Sequence, residues 1–149
     1  MRKRVASFAL VLAWLLSFIP TAFAAESWLW PADGCLIVSS NFGMRDLNGD
    51  GKYSSDEYHH GIDIRGSSGT SGKPVRAAKS GTVYQGENTI QDNTFIKNSM
   101  GNYTMIDHGD GTYSVYMHMK PGNKTSGIVK RGDVIGYIGN TGTSYGAHL

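Results

Sequence analysis

Cysteine is almost missing from this 149-residue sequence. Cys35 is the only one, so no internal disulfide can close, and the residue reads as a small buried hydrophobe. It also lies too far from the N-terminal apolar run to be a lipid-modified cysteine. Lys and Arg form no patch interleaved with aromatics, which excludes nucleic acid as the natural partner. No H-E-x-x-H is present, so a helix-borne zinc site with a glutamate base is excluded. No long amphipathic helical period follows residue 25. The longest apolar stretch, Ala6 to Ile19, is shorter than the roughly 20 residues that span a bilayer.

That stretch has another reading. Arg2, Lys3 and Arg4 precede it, and Ala22-Phe23-Ala24 follows with small residues at the cleavage positions. Residues 1–24 are therefore expected to be a secretory signal peptide, the alternative being an uncleaved anchor. The expected product is secreted or periplasmic, associated with the cell envelope and not inserted in the membrane. Residues 25–149 hold all 12 acidic residues but 11 of the 14 Lys and Arg. The net charge of +2 thus becomes −1 once the leader is removed.

What remains is rich in glycine, with 20 in the whole chain, spread between short apolar runs. Examples are Cys35 to Val38, Ile62 to Ile64, Gly81 to Tyr84, Tyr103 to Ile106, Tyr113 to Met119 and Val134 to Ile138. This spacing predicts an all-β single domain of short antiparallel strands, open barrel-like or sandwich-like, with long loops. Asp110-Gly111 marks a hairpin. Along 113–119, alternation places Tyr113, Val115, Met117 and Met119 on one face, taken as the core side. Ser114, Tyr116 and His118 fall on the other, taken as the chemical side.

Two metal signatures adjoin. Asp46, Asn48, Asp50, Lys52, Ser54 and Glu57 occupy ligand positions of a twelve-residue EF-hand-like loop over 46–57, with Gly51 at the sharp turn. Flanking helices are not evident, and a polar hairpin tip is the competing reading. His59 and Asp63 follow as H-x-x-x-D. Zinc takes imidazole nitrogen and carboxylate oxygen. In a straight strand the two would stand about 13 Å apart, so a bend is needed, and Gly61 is the residue expected to permit it.

Beyond these, the motifs Trp30-Pro31-Ala32-Asp33-Gly34, Ser40 to Arg45, His59-His60-Gly61-Ile62-Asp63-Ile64, Tyr116-Met117-His118, Val129 to Gly136 and Gly146-Ala147-His148-Leu149 stand in one order over nearly all of 25–149. In this the sequence resembles the lysostaphin/LytM-type zinc metalloendopeptidases, which cut peptidoglycan peptides. The resemblance implies that His59 and Asp63 are zinc ligands and that His118 and His148 are catalytic. One imidazole would take a proton from water, and one or both would stabilise the tetrahedral intermediate. The family's third ligand would fall one residue after Leu149. The sequence is therefore expected to be an incomplete record, with the final strand missing. The implied function is zinc-dependent hydrolysis of peptide cross-links or bridges, with peptidoglycan peptides as partner and a monomer as the assembly. The alternative is an inactive cell-wall binding or regulatory module. Zinc is the expected cofactor, with calcium as a second, structural ion. His60 could replace His59 by a register slip, but only His59 has the family's spacing to Asp63; His108 and Tyr116 are expected to be structural.

Overall fold

The computed structural model describes residues 26–46 and 58–149. The described residues form ten strands and no helix: β1 (Ile37–Ser40), β2 (Gly43–Met44), β3 (Tyr58–His59), β4 (Asp63–Arg65), β5 (Pro74–Arg76), β6 (Gly81–Glu87), β7 (Asn102–Asp107), β8 (Tyr113–Met119), β9 (Gly127–Val129) and β10 (Val134–Tyr137). The leader lies outside the described residues, as do Asn48, Asp50, Lys52, Ser54 and Glu57 of the candidate calcium loop. Only Asp46 of that loop is described.

All strand pairs are antiparallel. The largest sheet has the order β8-β7-β6-β9, and three two-stranded ladders join β1 to β4, β10 to β5 and β2 to β3. An isolated bridge between Met119 and Ile138 carries the end of β8 onto the β10–β5 ladder. The sheets do not close into a barrel. Leu149 exchanges both backbone hydrogen bonds with Ile64, at 2.8 and 3.0 Å, and so extends the pairing of β4. The core is made of small and branched side chains: Val75, Ile106, Val129, Ile135 and Ile138, with Cys35 buried among them. Such residues suit a pleated surface, and their burial is the main favourable term.

The Asp110-Gly111 hairpin forms as expected. His108 N–H donates to the Thr112 carbonyl at 3.1 Å, and Asp110 Oδ1 accepts from both the backbone N–H and the hydroxyl of Thr112. The expected faces of β8 are reversed over most of its length. Tyr113 and Val115 are 55% and 40% exposed, whereas Tyr116 is 3% exposed. The ladder then slips. Asn102 pairs with Met119 and Thr104 with Tyr116, so Met117 and His118 together oppose Tyr103. This bulge turns Met119 inward after all. His118 takes φ 59° there, a strained value for a non-glycine residue of the kind that collects at functional sites.

Candidate active site

His59 ends β3, and Asp63 opens β4. The chain bends at His60 and Gly61, bringing His59 Nε2 within 3.1 Å of Asp63 Oδ1. Gly61 is not what the bend requires. Its φ is not left-handed, and an added Cβ would meet nothing within 4 Å.

Each of three imidazoles is fixed in the same way. His59 Nδ1 lies 3.0 Å from the Asn41 carbonyl. His118 Nδ1 lies 2.7 Å from that of Thr141, and His148 Nδ1 lies 2.7 Å from that of Gly146. A carbonyl can only accept, so each Nδ1 carries the proton and donates it. In the neutral ring each Nε2 is then a bare lone pair. These nitrogens share one neighbourhood. His148 Nε2 stands 3.6 Å from the same Asp63 oxygen that faces His59. The His118 and His148 ring centroids are 4.7 Å apart. Arg45 Nη1 approaches the other Asp63 oxygen at 3.9 Å.

A bare nitrogen and a carboxylate oxygen at 3.1 Å cannot hydrogen-bond without a proton between them. The contact calls for a cation, either a proton on the ring or a metal ion bound by both atoms. Imidazole nitrogen with carboxylate oxygen is a donor pair that suits zinc. His59 and Asp63 therefore fit the expected ion as two ligands. No group of three His, Cys, Asp or Glu side chains set to hold a metal is found among the described residues.

Burial pushes the His118 imidazole below its ordinary pKa, and neighbouring His148 adds to this, against the opposite pull of the Thr141 carbonyl. The ring is therefore a neutral base at neutral pH. The close packing of two glycines positions it. A Cβ on Gly142 would fall 2.2 Å from Gly101 N, and a Cβ on Gly101 would fall 2.3 Å from the Thr141 oxygen. The two chains can meet there only without side chains, and their meeting sets the carbonyl that holds His118.

The remaining candidates make other contacts. His60 is exposed, with its ring 4.8 Å from that of Tyr58. His108 Nδ1 lies 2.8 Å from the Ser80 carbonyl and donates to it, so its Nε2 accepts from Ser114 Oγ at 3.0 Å. That uses the Ser114 proton, and the Tyr116 hydroxyl, 3.0 Å away, completes the chain while accepting Ala78 N–H at 2.8 Å. Tyr116 and His108 thus serve as struts. The carbonyls of Asn41, Thr141 and Gly146 are site atoms that sequence reasoning missed, because a carbonyl leaves no trace in residue identity.

His59, Asp63, His118 and His148 line an open groove of about 840 Å³. Its walls include residues 58–64, 98–100, 114–118 and 143, 145, 146, 148 and 149, with Trp30, Pro31, Arg45 and Ala78.

The family model described as Peptidase family M23 matches residues 57–149. The DD-carboxypeptidase/endopeptidase Mpg of Neisseria meningitidis serogroup B is 37% identical over 92 residues, which cover 61% of this chain and 19% of that protein. The peptidoglycan DD-endopeptidase ShyA of Vibrio cholerae is 34% identical over 125 residues, covering 80% of this chain and 25% of that one. The chain thus spans a quarter or less of the length of these curated relatives. A solved zinc-containing peptidase from Vibrio cholerae superposes with a TM-score of 0.62 at 25% identity, over 83% of this chain and 35% of that one.

Proposed function

The chain belongs to peptidase family M23, and from that premise we propose that it is an exported, zinc-dependent endopeptidase that hydrolyses peptide cross-links or bridges of bacterial peptidoglycan. The observation that carries the reading is the shared tautomer of His59, His118 and His148, whose Nδ1 atoms all meet backbone carbonyls. His59 and Asp63 would hold the ion. When bound there, zinc supplies Lewis-acid polarisation of the scissile carbonyl and acidifies water.

The chain's own groups divide the proton work. His118, neutral and locked by Thr141, takes a proton from the attacking water at Nε2 as the oxygen–carbon bond forms. The carbon–nitrogen bond then breaks, and the leaving amine receives that proton. His148, oriented by Gly146, faces the same space, and with a proton on Nε2 it donates to the tetrahedral carbon's oxygen and stabilises the charge there. The leader pattern over residues 1–24 supports export. The ligand pattern at Asp46, Asn48, Asp50, Lys52, Ser54 and Glu57 supports a structural calcium ion. A rise in melting temperature when calcium is added to metal-free protein checks that ion.

The test is digestion of purified peptidoglycan with mass analysis of the fragments, before and after chelation and with zinc restored. Zinc-dependent release of fragments cut within peptides supports the proposal. The second reading is an inactive wall-binding module. Sedimentation with peptidoglycan and no fragment release would establish it instead.

A further inference from the structure

His118 sits where β8 slips its register, at φ 59°, and its backbone is held there on both sides. Its N–H donates to the Met100 carbonyl at 3.0 Å, and its own carbonyl accepts Gly139 N–H at 3.1 Å. The next rung of the ladder, Asn102 with Met119, is bridged by a side chain. The Thr141 hydroxyl accepts Asn102 N–H at 2.9 Å and donates to the Met119 carbonyl at 2.9 Å. The Asn102 side chain reinforces the bridge. Its Nδ2 donates to the same Met119 carbonyl at 3.2 Å and to that of Ile90 at 2.6 Å, and its Oδ1 accepts Ile90 N–H at 2.9 Å. Asn102, Met119 and Thr141 are all fully buried. A buried polar network with its partners in place specifies one geometry.

Thr141 therefore meets this bulge twice. Its hydroxyl ties both strands together one residue past the histidine, and its carbonyl takes the His118 Nδ1 proton at 2.7 Å. The first contact bears on the backbone, and the second on the ring and its tautomer. Both are needed. A left-handed φ is disfavoured for a residue with a Cβ and persists only where the surroundings enforce it. A ring aimed by a carbonyl is only as well placed as the chain that carries the carbonyl. All of these bonds lie within residues 90–141.

We propose that Thr141 is a positioning residue for His118: its buried hydroxyl locks the bulge while its carbonyl aims the ring, so that one residue couples the strained backbone to the place of Nε2. This rests on His118 being the base of the peptidase reading above. The hydroxyl itself does not touch substrate, because it is fully buried and its proton is given to Met119. Serine keeps both contacts. Valine has nearly the same shape and keeps the carbonyl, but it leaves Asn102 N–H buried without its acceptor and unties the rung. The two substitutions therefore separate the hydroxyl from the space the side chain fills.

The test uses the full-length protein, with hydrolysis of a soluble cross-linked muropeptide and proton NMR read side by side, well below the melting temperature of each variant. Thr141→Val should lower kcat about 10- to 100-fold with KM within about twofold. The His118 Nδ1–H signal should exchange with water about tenfold faster than in the parent. Thr141→Ser should restore the parent kcat and the slow exchange. Arg76→Gln, which loses an ion pair with Asp33, controls for destabilisation alone and should change neither. Parent kcat and parent exchange in Thr141→Val would overturn the proposal. So would a Thr141→Ser variant as impaired as Thr141→Val, which would give the effect to the lost methyl group, or an equal fall of kcat in Arg76→Gln. If Thr141→Val does not fold, the parent decides. Its Thr141 hydroxyl proton should be visible and slow to exchange, and rapid exchange of that proton would overturn the proposal. A parent protein that cuts no muropeptide would sink the peptidase reading, whereas the two proton signals need no substrate and judge the coupling by themselves.

Discussion

His59 Nε2 faces Asp63 Oδ1 at 3.1 Å while the other nitrogen of the ring is held by the Asn41 carbonyl. The pair is poised for a cation. Replacing His59 by Ala or Asp63 by Asn should lower zinc affinity by more than the roughly 10–100-fold that loss of an outer-shell partner costs. Competition with a chromophoric chelator measures that directly. Chelation of the parent protein should abolish hydrolysis, and zinc should restore it. Zinc affinity unchanged in both variants would place the ion elsewhere.

His118 is a neutral base set at a strained bulge. His118→Ala should lower kcat by about 10²- to 10⁴-fold, the usual worth of a positioned base, with KM within a fewfold. Zinc affinity should stay near the parent value. A variant that loses zinc instead of kcat would make His118 a ligand.

Much of this site was legible in the sequence, and its limits are physical. The H-x-x-x-D spacing of His59 and Asp63, with His118 and His148, marks groups that the fold brings to one neighbourhood. The division of 113–119 into two alternating faces was also readable. Which face meets the core was not. Tyr116 is apolar enough to be buried once Ser114 and Ala78 satisfy its hydroxyl, so an alternating strand offers two plausible interiors. The bulge at Met117 and His118 then breaks the period, and no residue there announces it. Gly61 misled for the reverse reason, since glycine permits a bend without being required by it.

Gly142 is a glycine that the structure does require. It has φ 76°, and a Cβ would fall 2.2 Å from Gly101 N. Gly142→Ala should cost about 1–3 kcal/mol of stability, the range for backbone held in a sparsely populated region. It should also lower kcat, because the Thr141 carbonyl that orients His118 sits next in the chain. Gly146→Ala, where a Cβ meets nothing within 4 Å, serves as the control and should leave stability nearly unchanged. Denaturant melts of the two variants, read beside their kcat values, check both expectations.

Acid should destabilise the fold through paired carboxylates. Hydrogen bonding from Arg76 holds Asp33 below the ordinary carboxylate value. Lys79 does the same for Asp110. Burial would raise Asp92, but hydrogen bonds from Lys120 and the backbone of Asn140 overcome it. A depressed folded pKa means stability that is present above the unfolded value, about 3.9 for Asp, and lost as pH falls through the folded one. The melting temperature should therefore be flat above about pH 5 and fall below about pH 4. In Arg76→Gln, Asp33 returns toward its ordinary value. That variant should melt lower than the parent at pH 7 and lose less between pH 5 and pH 3. Equal acid losses in parent and variant would remove the pair from the account.

Tyr116 projects toward the groove but is spent on structure. Its hydroxyl accepts Ala78 N–H at 2.8 Å and meets Ser114, which His108 anchors in turn. Burial raises its pKa, against the hydrogen bonds it shares with Ser114 and Ala78, so it stays a neutral phenol. Tyr116→Phe leaves the Ala78 amide without a partner in the interior, at a cost of about 1–3 kcal/mol. The ring remains, so the packing of β8 and the place of His118 should survive. The variant should melt lower than the parent while kcat changes by less than severalfold. Loss of a donor that stabilised the transition state would instead lower kcat by about 10²-fold or more with the melting temperature unmoved. The two outcomes separate on one pair of measurements, and the saturated hydrogen bonding of the hydroxyl points to the first.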